Sequence, residues 1–225
     1  MKTITLFGDS ILFGIIINEK GKYARNANFD LRSFAKDYGF DLLNISRMGR
    51  NSREGVDAVL DYLSEHDAPD YAVIEFGGND ADHPWAEIAK DPTIGSPKIP
   101  IDEYVENLKK MAEILKSKGV KIAYMNLPPV ISKPYFDFVT PTAEAKENVL
   151  KFLGRVDVIS DVHISYNDAV EKLARDTGER LIDIRSPFFQ NGDITPYVCS
   201  DGVHPSPLGH DLIKAEFGKY LDSIK

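Results

Sequence analysis

Leu6-Phe7-Gly8-Asp9-Ser10 ends the first apolar run of the chain and sets a serine just past its end. Alone, a Gly-Asp-Ser turn is common loop chemistry. Its weight comes from Ser200-Asp201-Gly202-Val203-His204-Pro205 near the other end, which puts an aspartate and a histidine on one short stretch. An early serine with a late Asp-x-x-His is the inventory of a hydrolytic triad. Whether these pieces meet depends on the fold between them.

Working outward, Ile4, Leu6 and Phe7 read as a strand closed by Gly8-Asp9. Residues 11–17 are apolar around a glycine and fit either a short helix or a buried loop. Helical spacing then runs over residues 29–38, and Phe40-Asp41-Leu42-Leu43-Asn44-Ile45 reads as a second strand. A polar loop ends at Ser52, which is expected to cap a helix over residues 53–66. Tyr71-Ala72-Val73-Ile74-Glu75-Phe76 is the third strand, ended by Gly77-Gly78-Asn79-Asp80.

Residues 81–100 are irregular, with four prolines and the sole tryptophan, Trp85, and read as a lid or substrate loop. Asp102 is expected to cap the next helix, and Val120 to Met125 forms the fourth strand. Residues 134–154 read as loop and then helix from Thr142; residues 166–177 read as helix, and Arg180 to Ile184 as the fifth strand. Ser206 and Pro207 open a terminal helix running to about Leu221.

Strands and helices thus alternate five times, the pattern of a parallel sheet covered on both faces. Ligands in such folds sit outside the carboxyl ends of the strands. Gly8-Asp9-Ser10, the polar loop after Asn44 and Gly77 to Asp80 all follow strand ends, so they share one rim, which Asp201 and His204 reach if the last loop crosses back.

The 225 residues suit one domain over 1–225. A net charge of −8, from 35 acidic against 27 basic residues, argues against nucleic acid or an anionic membrane as partner. No stretch is apolar enough to span a bilayer, and Cys199 is the single cysteine. A cytoplasmic location is the expectation.

The chemistry is set by the residue types. A serine hydroxyl needs an adjacent base; His204 can supply it, and Asp201 can hold the imidazole in the right tautomer. The N–H groups of Ser10 and Gly49 and the amide of Asn79 are candidate donors to an oxyanion. Such a reaction needs no cofactor and no metal.

The four stretches resemble the sequence blocks of the GDSL, or SGNH, hydrolase family: Gly8-Asp9-Ser10, the loop containing Gly49, Gly77-Gly78-Asn79-Asp80, and Asp201-Gly202-Val203-His204-Pro205. Ile11 stands where that family usually has leucine. The resemblance implies a flavodoxin-like three-layer α/β/α sandwich, in keeping with the five-stranded parallel sheet read above, and hydrolysis of a carboxylic ester or thioester through an acyl-enzyme; a small or short-chain ester is the expectation. It implies Ser10 as nucleophile, His204 as base, Asp201 as its orienter, and Ser10, Gly49 and Asn79 around the oxyanion. An O-acetylesterase acting on carbohydrate is the alternative within the family.

Plainer readings stand beside these. Asp9 and Asp80 read as loop-bracing acceptors. Trp85 is divided evenly between pocket wall and loop anchor, and His83 reads as a lid residue that can reach substrate. His66, His163 and His210 read as surface or satisfied core positions, Cys199 as a small buried residue, and Tyr135-Phe136-Asp137-Phe138 as packing first and a pocket wall second. Two other classes remain open: a flavodoxin-type phosphate or flavin module without need of His204, and a metal-dependent hydrolase using Asp9, Asp80, Asp201 and His204.

Overall fold

A computed structural model describes residues 1–225. Five parallel strands form the main sheet: β1 (Lys2–Gly8), β4 (Phe40–Asn44), β5 (Tyr71–Glu75), β6 (Lys121–Met125) and β7 (Arg180–Ile182). Their order across the sheet is β4-β1-β5-β6-β7. The first crossover leaves β1 on one side and the next returns to its other side, so the crevice of the sheet opens at the carboxyl end of β1. Register places Leu6 beside Asn44 and Gly8 beside Glu75 at that rim.

The strands alternate between two apolar cores. Ile4, Leu6, Tyr71, Val73, Ala123 and Met125 face one side, where α2 (Leu31–Asp37) and α10 (Pro207–Ser223) pack through Leu31, Ile213 and Phe217. Phe7, Ala72, Ile74, Ile122 and Tyr124 face the other, against α3 (Ser52–Glu65), α6 (Ile101–Lys116) and α9 (Val158–Thr177). This two-residue period is the strand pleat itself, and each large side chain so buried contributes roughly 1.5–3 kcal/mol. A third, smaller core joins Trp85, Ile88, Phe136, Val149, Leu153 and Ile159. It packs α5 (Trp85–Ile88), α7 (Ser132–Val139), α8 (Ala143–Leu153) and the start of α9 beside the carboxyl rim of the sheet.

Several element boundaries differ from the sequence reading. Residues 11–17 divide between α1 (Ser10–Phe13) and β2 (Ile15–Ile17), which pairs antiparallel with β3 (Tyr23–Arg25). Asn51, not Ser52, caps α3: its side chain accepts from Glu54 N while Glu54 Oε2 accepts from Asn51 N, a reciprocal capping box. Asp102 does not cap α6; Pro100 holds that position, and Asp102 lies in the first turn, where its charge favours the helix dipole. Residues 132–139 are helical although they contain Pro134, because its missing N–H falls in the first turn, where none is needed. α9 begins at Val158, eight residues ahead of Tyr166; the polar His163 on its buried face interrupts the apolar stripe in the part that the sequence reading left out.

Candidate active site

Asp9 caps the four-residue α1: its Oδ1 accepts from Ile11 N at 2.9 Å, and Ser10 occupies the first helical position at the end of β1. Cys199 and His204 flank a tight turn closed by Cys199 N donating to His204 O at 2.7 Å. Within it Asp201 Oδ1 accepts from the backbone N–H of Val203 and of His204, both at 3.1 Å. Gly202 adopts φ +77°, and a Cβ there would meet Ile131 O at 2.5 Å and Tyr135 N at 2.7 Å. Only glycine lets this loop lie so close to α7. Cys199 is a small buried residue whose sulfur bridges Ile17 N and Pro205 O, tying the loop to β2.

These placements bring together the two ends of the chain. His204 Nδ1 lies 2.6 Å from Asp201 Oδ2, and its Nε2 lies 3.0 Å from Ser10 Oγ. An ionised Asp201 accepts from Nδ1–H, which leaves Nε2 as acceptor for the serine hydroxyl. Burial disfavours the Asp201 charge, but the hydrogen bond and charge of His204 and the two backbone N–H donors outweigh it and hold the carboxyl below its usual range. Tyr23 of β3 covers the imidazole edge-on, 5.3 Å between centroids.

Asn79, in α4 (Gly78–Ala81), donates its amide to Asp9 Oδ2 at 3.0 Å and to Arg50 O at 3.1 Å. Gly49 turns at φ +79° and, with Ser10 and Asn79, lines the same cleft. Asp80 accepts from Ser52 N through both oxygens, so Asp9 and Asp80 brace loops. Burial pushes each of these two carboxyls up to about 6, against the donors that face them. No three His, Cys, Asp or Glu side chains converge in a cation-binding arrangement.

The cleft has a volume of about 310 Å³. Trp85 is both wall and anchor: its ring lines the cleft while Nε1 donates to Asp82 Oδ1 at 2.6 Å. Tyr135 and Phe138 also line it, the second of their two readings, whereas Phe136 is buried in the small core as packing. His83 is not on this wall; it lies 4.9 Å from the Trp85 ring, in a side cavity of about 40 Å³.

His163 is the residue that the sequence reading missed. It is neither exposed nor satisfied: it lines both cavities, and its buried Nδ1 has no partner. Burial, with the charge of Arg185, pushes it down to about 3, so it is neutral. The available signal was a polar residue on the apolar face of a helix. His210 is buried, with Nδ1 3.4 Å from Asn26 Nδ2 but Nε2 unpartnered, and His66 is exposed.

Comparison with known proteins identifies the family. The model of the GDSL-like lipase/acylhydrolase family matches residues 6–212. The chain is 30% identical to the GDSL esterase/lipase CPRD49 of Arabidopsis thaliana, over 95% of this chain and 76% of that protein. It is 29% identical to the isoamyl acetate-hydrolyzing esterase 1 homolog of Mus musculus, over 68% of this chain and 56% of that protein. Among solved structures, the lipase/acylhydrolase from Enterococcus faecalis superposes with a TM-score of 0.70 at 19% identity, covering 100% of this chain and 97% of that one. Est24, a carbohydrate acetylesterase from Sinorhizobium meliloti, gives 0.69 at 12% identity with 100% of both chains covered. These two structural likenesses concern the fold. Since the family model matches most of this chain, the chain belongs to the GDSL-like lipase/acylhydrolase (SGNH) family of carboxylic ester hydrolases.

Proposed function

We propose that the protein hydrolyses small, short-chain carboxylic esters through an acyl-enzyme on Ser10. The observation that carries this reading is the continuous hydrogen-bonded run from Ser10 Oγ through His204 to Asp201. His204 Nε2 takes the hydroxyl proton as Oγ attacks the ester carbonyl carbon, and Asp201 stabilises the imidazolium so formed. The same imidazolium protonates the departing alkoxide. Water then attacks the acyl carbon and gives a proton to Nε2; the C–Oγ bond breaks, Oγ takes that proton back, and the acid is released.

The backbone N–H groups of Ser10 and Gly49 and the side-chain amide of Asn79 hold the oxyanion. The N–H that Asn79 gives to Arg50 O in the free protein is the one an oxyanion competes for. One such donor is worth about 3–4 kcal/mol in the transition state.

A small ester is supported by the cleft. Its 310 Å³ lies at the low end of the roughly 300–1,000 Å³ typical of small-molecule sites. Tyr23, Trp85, Tyr135, Phe138 and Val139 make its wall mostly apolar, which suits an alkyl or acyl chain better than an acetylated sugar. The mouse relative is named for isoamyl acetate, an ester of this size class. No helix is long and apolar enough to cross a membrane.

The test is a p-nitrophenyl ester series of increasing acyl length, run with the native protein and Ser10→Ala. The expected result is a maximum at short chains, loss of turnover in Ser10→Ala, and covalent labelling of the native protein by a fluorophosphonate. Equal rates in the two proteins would sink the reading.

A further inference from the structure

Glu75 is the one charged residue in a strand that is otherwise apolar, Tyr71-Ala72-Val73-Ile74-Glu75, and it is fully buried. A carboxyl group there costs several kcal/mol of desolvation that an aliphatic side chain would not. Its surroundings are specific. Glu75 Oε2 accepts from Asp9 N at 3.4 Å, and both side chains are buried where the two residues meet. A Cβ on Gly8 would lie 2.9 Å from Oε2, so the glycine of the Gly-Asp-Ser turn makes room for this acid.

We propose that Glu75 is a positioning residue for ester hydrolysis: its carboxyl group supplies the proton of a Glu75–Asp9 hydrogen bond that holds the Ser10 turn and the Asn79 amide in place. The inference rests on the reading of Ser10 as nucleophile and Asn79 as oxyanion donor.

Two buried carboxyl groups on neighbouring side chains cannot both be ionised cheaply, so the pair retains one proton. Asp9 has the better claim to the charge, because Ile11 N and Asn79 Nδ2 both donate to it. Glu75 has one oxygen, Oε1, without any partner. Burial and the Asp9 charge hold Glu75 far above the usual carboxylate range. The other titratable groups facing the pair are Asp80 from α4, Tyr104 from α6 and His204 from the loop before α10. Asp80 and Asp9 add negative potential and keep the proton on Glu75, while His204 favours the charge on Asp9.

One acid thus donates and one carboxylate accepts. The accepting oxygens of Asp9 fix the start of α1, which carries Ser10, and orient Asn79. When Glu75 loses its proton, two carboxylates repel each other and that arrangement is lost.

The experiment measures kcat and KM on p-nitrophenyl butyrate from about pH 5 to about pH 10 for the native protein, Glu75→Leu, Glu75→Gln and Ser10→Ala. Thermal unfolding of each is measured alongside. Glu75→Leu is expected to lower kcat about tenfold or more with little change in KM. Glu75→Gln, whose amide can donate to Asp9 but has no proton to lose, is expected to recover most of that loss. Its alkaline limb is expected at higher pH than the native one.

Native kcat in Glu75→Leu, or an alkaline limb in Glu75→Gln that coincides with the native one, overturns the proposal. So does a loss of kcat that tracks the melting temperature in both variants, which is a packing role. An inactive Ser10→Ala beside an unaffected Glu75→Leu removes Glu75 alone. Hydrolysis by Ser10→Ala removes the nucleophile and this inference with it.

Discussion

Asp82 and Tyr135 are joined at the cleft wall by a hydrogen bond of 2.6 Å from the tyrosine hydroxyl to Oδ1. The same carboxylate accepts from Trp85 Nε1 and from Lys98 Nζ, both at 2.6 Å. One side chain therefore ties the irregular 81–100 segment to α7 and sets the positions of two aromatic rings that line the cleft. Asp82→Ala is expected to cost about 1–3 kcal/mol in stability, since it leaves those donors without their acceptor. It is expected to raise KM more than it lowers kcat. Michaelis kinetics with a urea titration checks both; a fall in kcat at constant KM would instead put Asp82 in the chemical step.

Asn79 sits where Asp9, Arg50 O and the cleft meet, so its amide organises the rim and, in the proposed mechanism, also faces the reacting carbonyl. Asn79→Ala is expected to lower kcat by ~10²–10³ with a modest change in KM, the usual effect of deleting one oxyanion donor. An effect confined to KM would take the side chain out of the oxyanion hole and leave it the structural bond to Asp9 alone.

The sheet and the three members of the Ser10–His204–Asp201 arrangement are legible because each has a local signature. Strands such as Tyr71–Glu75 are short apolar runs ended by glycine, and the site blocks come directly after them. What is not legible is made by distant parts of the chain. The β2–β3 hairpin has strands of three residues, too short for periodicity, yet it carries Tyr23 onto His204. Tyr135 and Phe138 turn toward the cleft only because α7 packs on the loop of Gly202, with Ile131 N donating to Gly202 O at 2.7 Å. His163 breaks the stripe in the first turns of α9 because it lines the cleft, so the site itself hid the start of that helix.

His210 makes stability depend on pH. Burial pushes it from 6.5 down to about 4, so the folded state refuses a proton that the unfolded chain accepts. Its contribution is present in full above about pH 6.5 and is lost progressively as pH falls through about 4, about 3 kcal/mol in all. Asp80, raised from 3.8 to about 6, acts in the opposite sense: its contribution is full below 3.8 and lost as pH rises through about 6. His210→Gln removes only the first, so between about pH 6.5 and 4 the variant should lose less stability than the native protein. Urea midpoints at the two pH values check this, and equal losses would mean that His210 does not titrate with unfolding.

Gly202 is the position where the backbone carrying Asp201 and His204 is most tightly constrained. Its φ of +77° is strained for any other residue, and an added Cβ would press on Ile131 O at 2.5 Å and Tyr135 N at 2.7 Å. Backbone atoms of this kind cannot rotate away as a side chain tip can, so the loop itself must shift. Strain of about 1–3 kcal/mol is the ordinary cost of such a conformation before the clash is counted. Gly202→Ala is therefore expected to lower the melting temperature and to lower kcat further than stability alone explains, because displacing His204 lengthens its 3.0 Å contact with Ser10 Oγ. The rate of fluorophosphonate labelling separates the two effects, since it reads the serine directly in protein that is still folded. A variant with native labelling rate and reduced stability would show that the loop yields elsewhere and that the Ser10–His204 distance does not depend on Gly202.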